Sequence, residues 1–325
     1  MDERRVHQLA CAAAGAVVGA AAALLLRRRS AGVGHGGEGG PPADVVVKIG
    51  GSACTRKAEF ETLHAENLAA AAKQIGEVHR SGKRVAIIHG AGSFGHQQAR
   101  EYGVSKGVGE GPLAYPLAGR LREGFAKTRL SVTTLNKHVI TALIEQGLPA
   151  VTMSPCPFVG TAKKKLPSSR LPADAVAGAR GLVRAGFVPV VHGDAILDCE
   201  QGCAILSGDV WMVEFCKELQ AKSAVFITDV DGVFTKPPWE EGSQLVREIL
   251  VDGKTGELEL TGVATTTADH DVTGGLRAKL ESAAEVLLRS PTVQAVYIVR
   301  AGSESAAQAL RGETPARGTA LRRRR

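Results

Sequence analysis

Residues 84–100 decide the fold, and they read Arg84-Val-Ala-Ile-Ile-His-Gly-Ala-Gly-Ser-Phe-Gly-His-Gln-Gln-Ala-Arg100. The apolar run 85–88 is typical of a buried parallel strand. Three glycines follow it at positions 90, 92 and 95, and they lead into residues that suit a helix. A strand, a glycine turn and a helix N-terminus together indicate an anion site, because exposed N–H groups and the helix dipole favour phosphate.

The rest of the chain repeats this alternation of strands and helices. Predicted strands are 45–49, 85–88, 150–153, 188–191, 224–227 and 295–299, with a hairpin from 195–197 and 204–206. Predicted helices are 58–80, 113–146, 173–186, 210–219, 273–288 and 305–310, and the stretch from 233 to 271 is predicted to be irregular. The alternation predicts an α/β fold, an open αβα sandwich with a mainly parallel sheet covered on both faces.

Composition argues for a globular protein and against a nucleic-acid partner. The 325 residues are 44% hydrophobic and 22% charged, which is ordinary for a globular protein. Of the net charge of +7, residues 1–43 carry +2 and residues 322–325 carry +4, so +1 remains for residues 44–321. With only 4% aromatic residues, we expect neither a basic stripe nor a platform for stacking bases.

The N-terminal leader, residues 1–43, contains an uncharged stretch of 18 residues at 9–26, flanked by arginines on both sides. As a helix it would span about 27 Å, slightly less than the ~30 Å hydrocarbon core of a bilayer. Gly15 and Gly19 form a G-x-x-x-G pattern that can pack two helices together. A membrane anchor and an unstructured or removed leader both remain open. Residues 30–43 have the composition of a flexible linker, and we expect a cytoplasmic folded domain from Asp44.

The glycine turn at residues 90–95 also has to be compared with the motifs of other binding sites. Residues 90–95 satisfy the G-x-G-x-x-G pattern of dinucleotide-binding folds, and Glu110 lies about 20 residues further on. The acidic residue should end a second strand, whereas Glu110 lies in a glycine-rich stretch predicted to be a loop. The chain has no G-x-x-x-x-G-K-[ST] motif, and its cysteines lack the spacing of a zinc site. We therefore assign no metal ligands.

Six motifs carry a resemblance to a known family. In chain order they are Lys48-Ile-Gly-Gly-Ser52, His89-Gly-Ala-Gly-Ser-Phe-Gly-His96, His192-Gly-Asp194, Leu206-Ser-Gly-Asp209, Thr228-Asp-Val-Asp-Gly-Val233 and Asp271-Val-Thr-Gly-Gly-Leu-Arg-Ala-Lys279. Over residues 44–321 the chain resembles the amino acid kinase superfamily, and within it the isopentenyl phosphate kinases. His96 is the discriminating residue, because relatives that phosphorylate carboxylates lack it, although a fosfomycin-kinase-like relative shares it. At Val210 the chain departs from archaeal members, which often have a second Asp there.

The resemblance implies a role for each matching residue. The β- and γ-phosphates of ATP would be held at Lys48, Ile49, Gly50, Gly51, Ser52 and Gly92. The rest of the nucleotide site would be lined by Asp229, Val230, Asp231, Gly232, Val233, Phe234, Gly275 and Lys279. The acceptor phosphate would contact Ala91, His96 and Gly208. Lys57 would lie over the transferred phosphoryl group and Asp209 would orient the lysines, so the catalytic set is Lys48, Lys57, His96, Asp209 and Lys279.

Several of these residues also have a plainer interpretation. Lys57 fits a solvated surface lysine, Asp229 or Asp231 fits the cap of a turn, and residues 207–209 fit an ordinary turn. His96 fits a cap of the following helix. If it binds the acceptor, no general base is needed, because a phosphate monoester with a second pKa near ~6 is already dianionic at pH 7. We expect His96 to donate a hydrogen bond, and its protonated form to help most.

The expected activity is the conversion of isopentenyl phosphate to isopentenyl diphosphate with ATP and Mg²⁺, as a homodimer serving isoprenoid biosynthesis. We expect an acceptor lobe at about 44–220, a nucleotide lobe at about 221–321 and a basic tail at 322–325. One alternative is a related kinase for a phosphonate or another isoprenoid monophosphate. The other is a membrane-tethered nucleotide-binding protein without catalysis.

Overall fold

The computed structural model describes residues 43–109, 116–166, 171–261 and 274–324. The helices in these ranges are α1 (Gly51–Cys54), α2 (Ala65–Arg80), α3 (Gly92–Glu101), α4 (Gly119–Glu145), α5 (Ala173–Arg184), α6 (Gly208–Glu218), α7 (Gly274–Arg289) and α8 (Glu304–Arg311). The strands are β1 (Val45–Ile49), β2 (Val85–His89), β3 (Ala150–Met153), β4 (Val188–His192), β5 (Asp194–Asp198), β6 (Gly202–Leu206), β7 (Ser223–Thr228), β8 (Val233–Phe234), β9 (Leu245–Val246), β10 (Glu248–Val251), β11 (Leu258–Thr261), β12 (Ala295–Arg300) and β13 (Thr319–Arg323).

In the described residues, nine strands form one sheet in the order β11-β10-β13-β12-β7-β1-β2-β4-β3. The six strands from β12 to β3 in this order all run parallel, whereas β13 pairs antiparallel with β12 and β11 antiparallel with β10. Every side chain of the central strand β1 is buried, as in a sheet covered on both faces. The predicted α/β fold with a mainly parallel sheet is confirmed.

Alternate residues of β1 belong to two different hydrophobic cores. Val46 packs in a core that includes Val176 of α5 and Trp211 of α6. Val47 packs in the other core, together with Ile75 of α2 and Leu135 of α4. Burying each aliphatic side chain of this size contributes about 1.5–3 kcal/mol, so helices on both faces hold the sheet in place.

The central strands end side by side at one edge of the sheet. The register pairs Ile49 with both His89 and Ile227, and His89 with His192. The residue after a strand is also tied to the neighbouring strand, since the N–H of Gly90 donates to the carbonyl of Ile49 at 3.0 Å. The turns that follow β1, β2, β4 and β7 therefore lie next to one another, as a parallel sheet with ligands at its carboxyl edge requires.

The helix predicted at 58–80 begins later than expected. In the structure α2 begins at Ala65, and Phe60 is 52% exposed. Thr55 forms an isolated antiparallel bridge with Leu63, so the chain reverses direction between them instead of continuing as a helix. The helix predicted at 113–146 corresponds to α4, and residues 113–115 of that prediction lie outside the described ranges.

The segment predicted to be irregular contains four short strands, β8 to β11. The final strand β13 was also missed, and it extends to Arg323. The predicted tail at 322–325 is therefore wrong for Arg322 and Arg323, which belong to the sheet. The Arg323 guanidinium donates to the carbonyls of Ser290 at 2.8 Å and Val293 at 2.9 Å, just beyond the end of α7.

Residues 1–42 lie outside the described ranges, so the predictions for the leader, including 9–26, remain predictions. Among the residues that the structure does describe, no helix combines the length and the apolar character needed to cross a membrane. The predicted division into two lobes near residue 220 likewise remains a prediction.

Candidate active site

The turns at the carboxyl edge of the sheet line a cavity of about 800 Å³. The N-termini of α3 and α6 and the first turns of α7 complete its wall. The predicted site residues that line it are Lys48, Gly50, Gly51, Ser52, Lys57, Ala91, Gly92, His96, Gly208, Asp209, Asp229, Val230, Gly232, Phe234 and Lys279. Residues far apart in the sequence, including the five of the predicted catalytic set, thus meet in one cavity.

Three residues predicted to bind ATP do not line this cavity: Ile49, Asp231 and Val233. The predicted role of Gly275 stays a prediction. The side chains of Ile49 and Val233 are buried in the hydrophobic cores. The carboxylate of Asp231 accepts a hydrogen bond from Arg317 at 2.7 Å. For Ile49, Asp231 and Val233 the structure therefore places the side chains elsewhere.

The two glycine turns pack directly against each other. A Cβ on Gly51 would lie 2.7 Å from the Cα of Gly92, and one on Gly90 would lie 2.8 Å from the nitrogen of Gly51. Gly92 has φ +54°, a conformation that L side chains rarely adopt. Only glycine permits this approach, which brings the backbones of both turns to the same part of the cavity.

Four backbone N–H groups at these turns have no hydrogen-bond acceptor within the described part of the chain. They belong to Gly51, Ser52, Ala91 and Gly92. The next N–H group along α3, that of Ser93, is by contrast satisfied by the hydroxyl of Thr55 at 2.9 Å. Unpaired N–H groups at a helix N-terminus attract anions, so this part of the cavity is suited to phosphate oxygens.

Lys48 lies at the centre of the cavity and is 8% exposed. Its ammonium group forms an ion pair with the carboxylate of Asp209. Ser207 caps α6 and fixes that carboxylate, since its hydroxyl donates to Asp209 Oδ2 at 3.1 Å and accepts from the N–H of Asp209 at 3.1 Å. Residues 207–209 therefore do more than form a turn, because they hold a carboxylate against a buried lysine.

Lys279 projects into the same cavity from α7. Burial, and next the positive charge of Lys48, lower the pKa of Lys279 to about 8, although the charges of Asp209 and Asp229 oppose this change. Three lysines, including Lys57, thus lie within electrostatic reach of one another. A bound polyanion would relieve their mutual repulsion, and we expect it to raise the pKa of Lys279.

The surroundings of His96 disfavour its protonated form in the unliganded protein. That the protonated form helps most with the acceptor bound stays a prediction. His96 lines the cavity and is itself exposed, but desolvation lowers its pKa, and so do the charges of Lys57 and Lys48. These surroundings favour the neutral imidazole over the imidazolium in the unliganded protein. A neutral imidazole still carries one N–H donor, so hydrogen bonding to a phosphate remains available.

Asp229 supplies a second carboxylate. The hydroxyl of Thr228 donates to its Oδ1 at 2.9 Å. Desolvation alone would raise the pKa of Asp229, but hydrogen bonds from Ser52 and Thr228 together with the charge of Lys57 hold it below the usual value. Asp229 is therefore ionised at neutral pH.

Several residues of the cavity wall had been assigned no role. The buried carboxylate of Asp194 accepts hydrogen bonds from Arg129 Nε at 3.2 and 3.3 Å, and burial raises the pKa of Asp194. Thr128 is buried, and its hydroxyl has no partner among the residues described. Trp239, at the rim, is 83% exposed. Asp194 belonged to a quoted motif, whereas Thr128 and Arg129 lie in the middle of a long helix and give no local signal.

The fold and this cavity together define a phosphoryl-transfer protein. The Amino acid kinase family model matches residues 45–299, and the chain belongs to this family. Isopentenyl phosphate kinase from Arabidopsis thaliana is 34% identical over 316 residues, covering 82% of this chain and 90% of that protein. The isopentenyl phosphate kinase of Methanothermobacter thermautotrophicus is also 34% identical, over 282 residues, covering 85% and 98%. A solved structure described as "X-ray structures of isopentenyl phosphate kinase" matches with a TM-score of 0.66 and 30% identity, covering 85% of this chain and 99% of that one.

Proposed function

We propose that the protein transfers the γ-phosphoryl group of ATP to the phosphate of isopentenyl phosphate. An oxygen of the acceptor phosphate bonds to the γ-phosphorus as the bond between that phosphorus and the β–γ bridging oxygen breaks, giving isopentenyl diphosphate and ADP. Family membership and the relatives named above support this assignment. The structural observation that carries it is the meeting of unpaired N–H groups and three lysines in one cavity.

The number of cations matches the electrostatic demand of this reaction. Two phosphate dianions ~5 Å apart in a medium of effective dielectric ~20 repel each other by roughly 13 kcal/mol. One lysine does not offset this repulsion. Lys48, Lys57 and Lys279 together with the backbone N–H groups provide several positive groups that can share the phosphate charge. Catalysis then consists of positioning and electrostatic stabilisation, as is general for phosphoryl transfer.

The site divides into two ends. We assign the β- and γ-phosphates of ATP to the turn at Gly50–Ser52 and to Gly92, with the remainder of the nucleotide towards Asp229, Phe234 and Lys279. The acceptor phosphate is assigned to Ala91, His96 and Gly208. In the proposed two-lobe division, the acceptor residues and the turns that hold the ATP phosphates lie in the acceptor lobe at about 44–220. The remainder of the nucleotide then lies against the nucleotide lobe at about 221–321.

His96 acts as a hydrogen-bond donor and not as a base. The acceptor arrives as a dianion, so no proton has to be removed before attack. The neutral ring donates one N–H to an acceptor oxygen, and Asp209 keeps the Lys48 ammonium near the transferred group.

Mg²⁺ is a further part of the proposal. The described residues contain no cluster of three or more possible metal ligands. This fits an ion that is held mainly by the phosphates of ATP with one or two carboxylates. Asp229 is ionised and has no ion-pair partner in the described ranges, so it would supply that carboxylate. Bound there, the ion would neutralise charge on the β- and γ-phosphates.

Turnover with a panel of acceptors tests the function. Purified protein, ATP and Mg²⁺ are incubated with isopentenyl phosphate, a longer isoprenoid monophosphate, a simple alkyl phosphate and a phosphonate, and the products are followed by ³¹P NMR. We expect isopentenyl phosphate to give the highest kcat/KM, with Lys48→Met as the inactive control. A preference for the phosphonate or the longer chain would favour the related-kinase alternative. ATP binding without turnover of any acceptor would favour a binding protein.

Two finer points rest on the sequence and the family resemblance alone, and we propose them separately. The first is assembly as a homodimer, which sedimentation analysis at several concentrations tests. The second is membrane association through residues 9–26 of an otherwise cytoplasmic protein, and fractionation tests it.

A further inference from the structure

A chain of polar side chains lies directly behind the phosphate turn that follows β2. His89 is fully buried, and its Nδ1 is 3.0 Å from the carbonyl oxygen of Gly90. Its Nε2 is 3.0 Å from Nδ2 of Asn136 in α4, which is 6% exposed. The hydroxyl of Thr152 in β3 completes the chain, 2.5 Å from Oδ1 of Asn136. These groups touch no part of the cavity, and the proposed reaction does not use them.

The donor and the acceptor of every hydrogen bond in this series of side chains follow from the Gly90 carbonyl at one end. A carbonyl oxygen only accepts, so Nδ1 of His89 carries the proton that it shares with Gly90. Burial and the neighbouring His192 lower the pKa of His89 to about 3, so the ring is neutral and its Nε2 is an acceptor. Asn136 must then present its NH₂ group to His89 and its oxygen to Thr152. The chain therefore runs from the Thr152 hydroxyl through Asn136 and His89 to the Gly90 carbonyl.

This arrangement fixes the peptide group between Gly90 and Ala91. On the other side, the N–H of Gly90 donates to Ile49 at 3.0 Å, so Gly90 is held at both its N–H and its carbonyl. In a trans peptide the carbonyl and the following N–H point in opposite directions. Drawing the Gly90 carbonyl back towards His89 therefore turns the N–H of Ala91 the other way. Ala91 lines the cavity, and its N–H has no acceptor in the described residues.

We propose that His89, held by Asn136 and Thr152, is a positioning residue that aims the Ala91 N–H at the acceptor phosphate. The inference rests on the proposed function for the identity of the acceptor. The glycine at position 90 makes the device necessary, because a flexible peptide would otherwise rotate away from the anion. His192 makes the same contact to the carbonyl of Gly193, at 3.0 Å, on the neighbouring strand. The two rings lie 5.4 Å apart, which limits the rotation of each.

Two substitutions at His89 separate positioning from packing. In His89→Asn the amide nitrogen is the same number of bonds from Cα as Nδ1, so it can keep the bond to Gly90 while the contact with Asn136 is lost. In His89→Gln the amide is placed like Nε2, so it can keep Asn136 while the bond to Gly90 is lost. Both variants remove a buried ring and should lower Tm by similar amounts.

The readout is the Kd for isopentenyl phosphate, measured by calorimetry with a non-hydrolysable ATP analogue present. We expect His89→Asn to stay within about threefold of wild type and His89→Gln to bind at least about tenfold more weakly, as for loss of one bond to a charged group. The Kd of the ATP analogue should be unchanged in both variants. At the outer end, Thr152→Val leaves the His89–Gly90 bond in place, so acceptor binding should weaken by no more than about threefold, and Thr152→Ser should bind like wild type; Thr152 is exposed, so both proteins should fold.

Equal affinities in His89→Gln and wild type would overturn the inference. So would a parallel loss in both His89 variants, since that would follow the packing defect alone. The proposed function fails by a different observation, namely absence of isopentenyl phosphate turnover by the wild-type protein. The two failures are distinguishable because binding and turnover are measured separately.

Discussion

Lys57 lies in the exposed turn between α1 and α2, whereas Lys48 and Lys279 are partly or fully enclosed. Its charge nevertheless lowers the pKa values of His96 and Asp229, so it acts inside the cavity. We expect Lys57→Met to lower kcat by about 100-fold or more, as for loss of one transition-state charge contact. Lys73→Met, at an exposed position on α2 away from the cavity, is the matched control. A kcat within about threefold of wild type would show that Lys57 is an ordinary solvated lysine without a role in catalysis.

The lowered pKa of Lys279 predicts that kcat/KM for ATP depends on pH. The ammonium form is present below a pKa of about 8 and is lost as the pH rises through that value. Since kcat/KM reports ionisations of the free enzyme, kcat/KM for ATP should fall above about pH 8. In Lys279→Arg the cation persists, so the alkaline fall should disappear or move to higher pH. An unchanged alkaline limb in Lys279→Arg would assign the titration to another group.

His96 is tested by comparing donors. His96→Ala should lose most activity, whereas His96→Gln or His96→Asn, which keep an N–H donor, should retain a measurable part. Because desolvation and the charges of Lys57 and Lys48 lower the pKa of His96, the ratio of kcat/KM between wild type and His96→Gln should stay constant from pH 7 to 9. Lys279 titrates in both proteins, so its effect cancels. A ratio that falls as the pH rises would show that the imidazolium is the active form.

Site residues could be predicted from the sequence where a reactive side chain stands inside a short, recognisable motif. Lys48, His96 and Asp209 stand in short motifs rich in glycine or serine, and the structure brings all three to the cavity. The ionisation state of His96 was beyond the sequence, because it depends on burial and on lysines 39 and 48 positions away in the chain. The Asn136–His89 contact was equally hidden, since it joins a helix to a strand across 47 residues.

At the scale of elements, the close contact between the two glycine turns predicts that a side chain at Gly92 destabilises the fold. In Gly92→Ala the new Cβ would lie 2.1 Å from Oγ1 of Thr55, at a φ of +54°. The Thr55 bond to the N–H of Ser93 would have to break, so we expect the free energy of unfolding to fall by about 2 kcal/mol or more, with loss of activity. Gly181→Ala in α5, where the Cβ meets nothing within 4 Å, should change stability by no more than about 1 kcal/mol in the stabilising direction. Urea denaturation of both variants measures this, and equal stabilities would refute it.

Five strands of the main sheet that were predicted correctly from the sequence share one property. The strands β1, β2, β4, β7 and β12 are buried on both faces, so each is a nearly continuous apolar run. By contrast β10 has an alternating pattern of buried and partly exposed residues, and only four residues. Its parallel partner is β13, with Glu248 opposite Ala320, so its existence depends on a contact that no local pattern encodes.

For the whole molecule, the open question at the N-terminus has a direct test. If residues 9–26 anchor the protein, the full-length chain should pellet with membranes and resist carbonate extraction. A chain that begins at Asp44 should remain in the supernatant and keep full activity, because the cavity is built from residues beyond that point. Full-length protein found wholly in the supernatant would exclude the anchor.

The position of β13 has a consequence for biosynthesis. This strand is inserted between β10 and β12, both of which leave the ribosome before it. The strands from β1 to β7 can pair while synthesis continues, whereas β10 and β12 each keep an unpaired edge until β13 is available. A nascent chain that stalls before Thr319 would therefore display two open strand edges to other chains. Ribosome-bound intermediates of this protein should accordingly depend on chaperones until β13 has been synthesised.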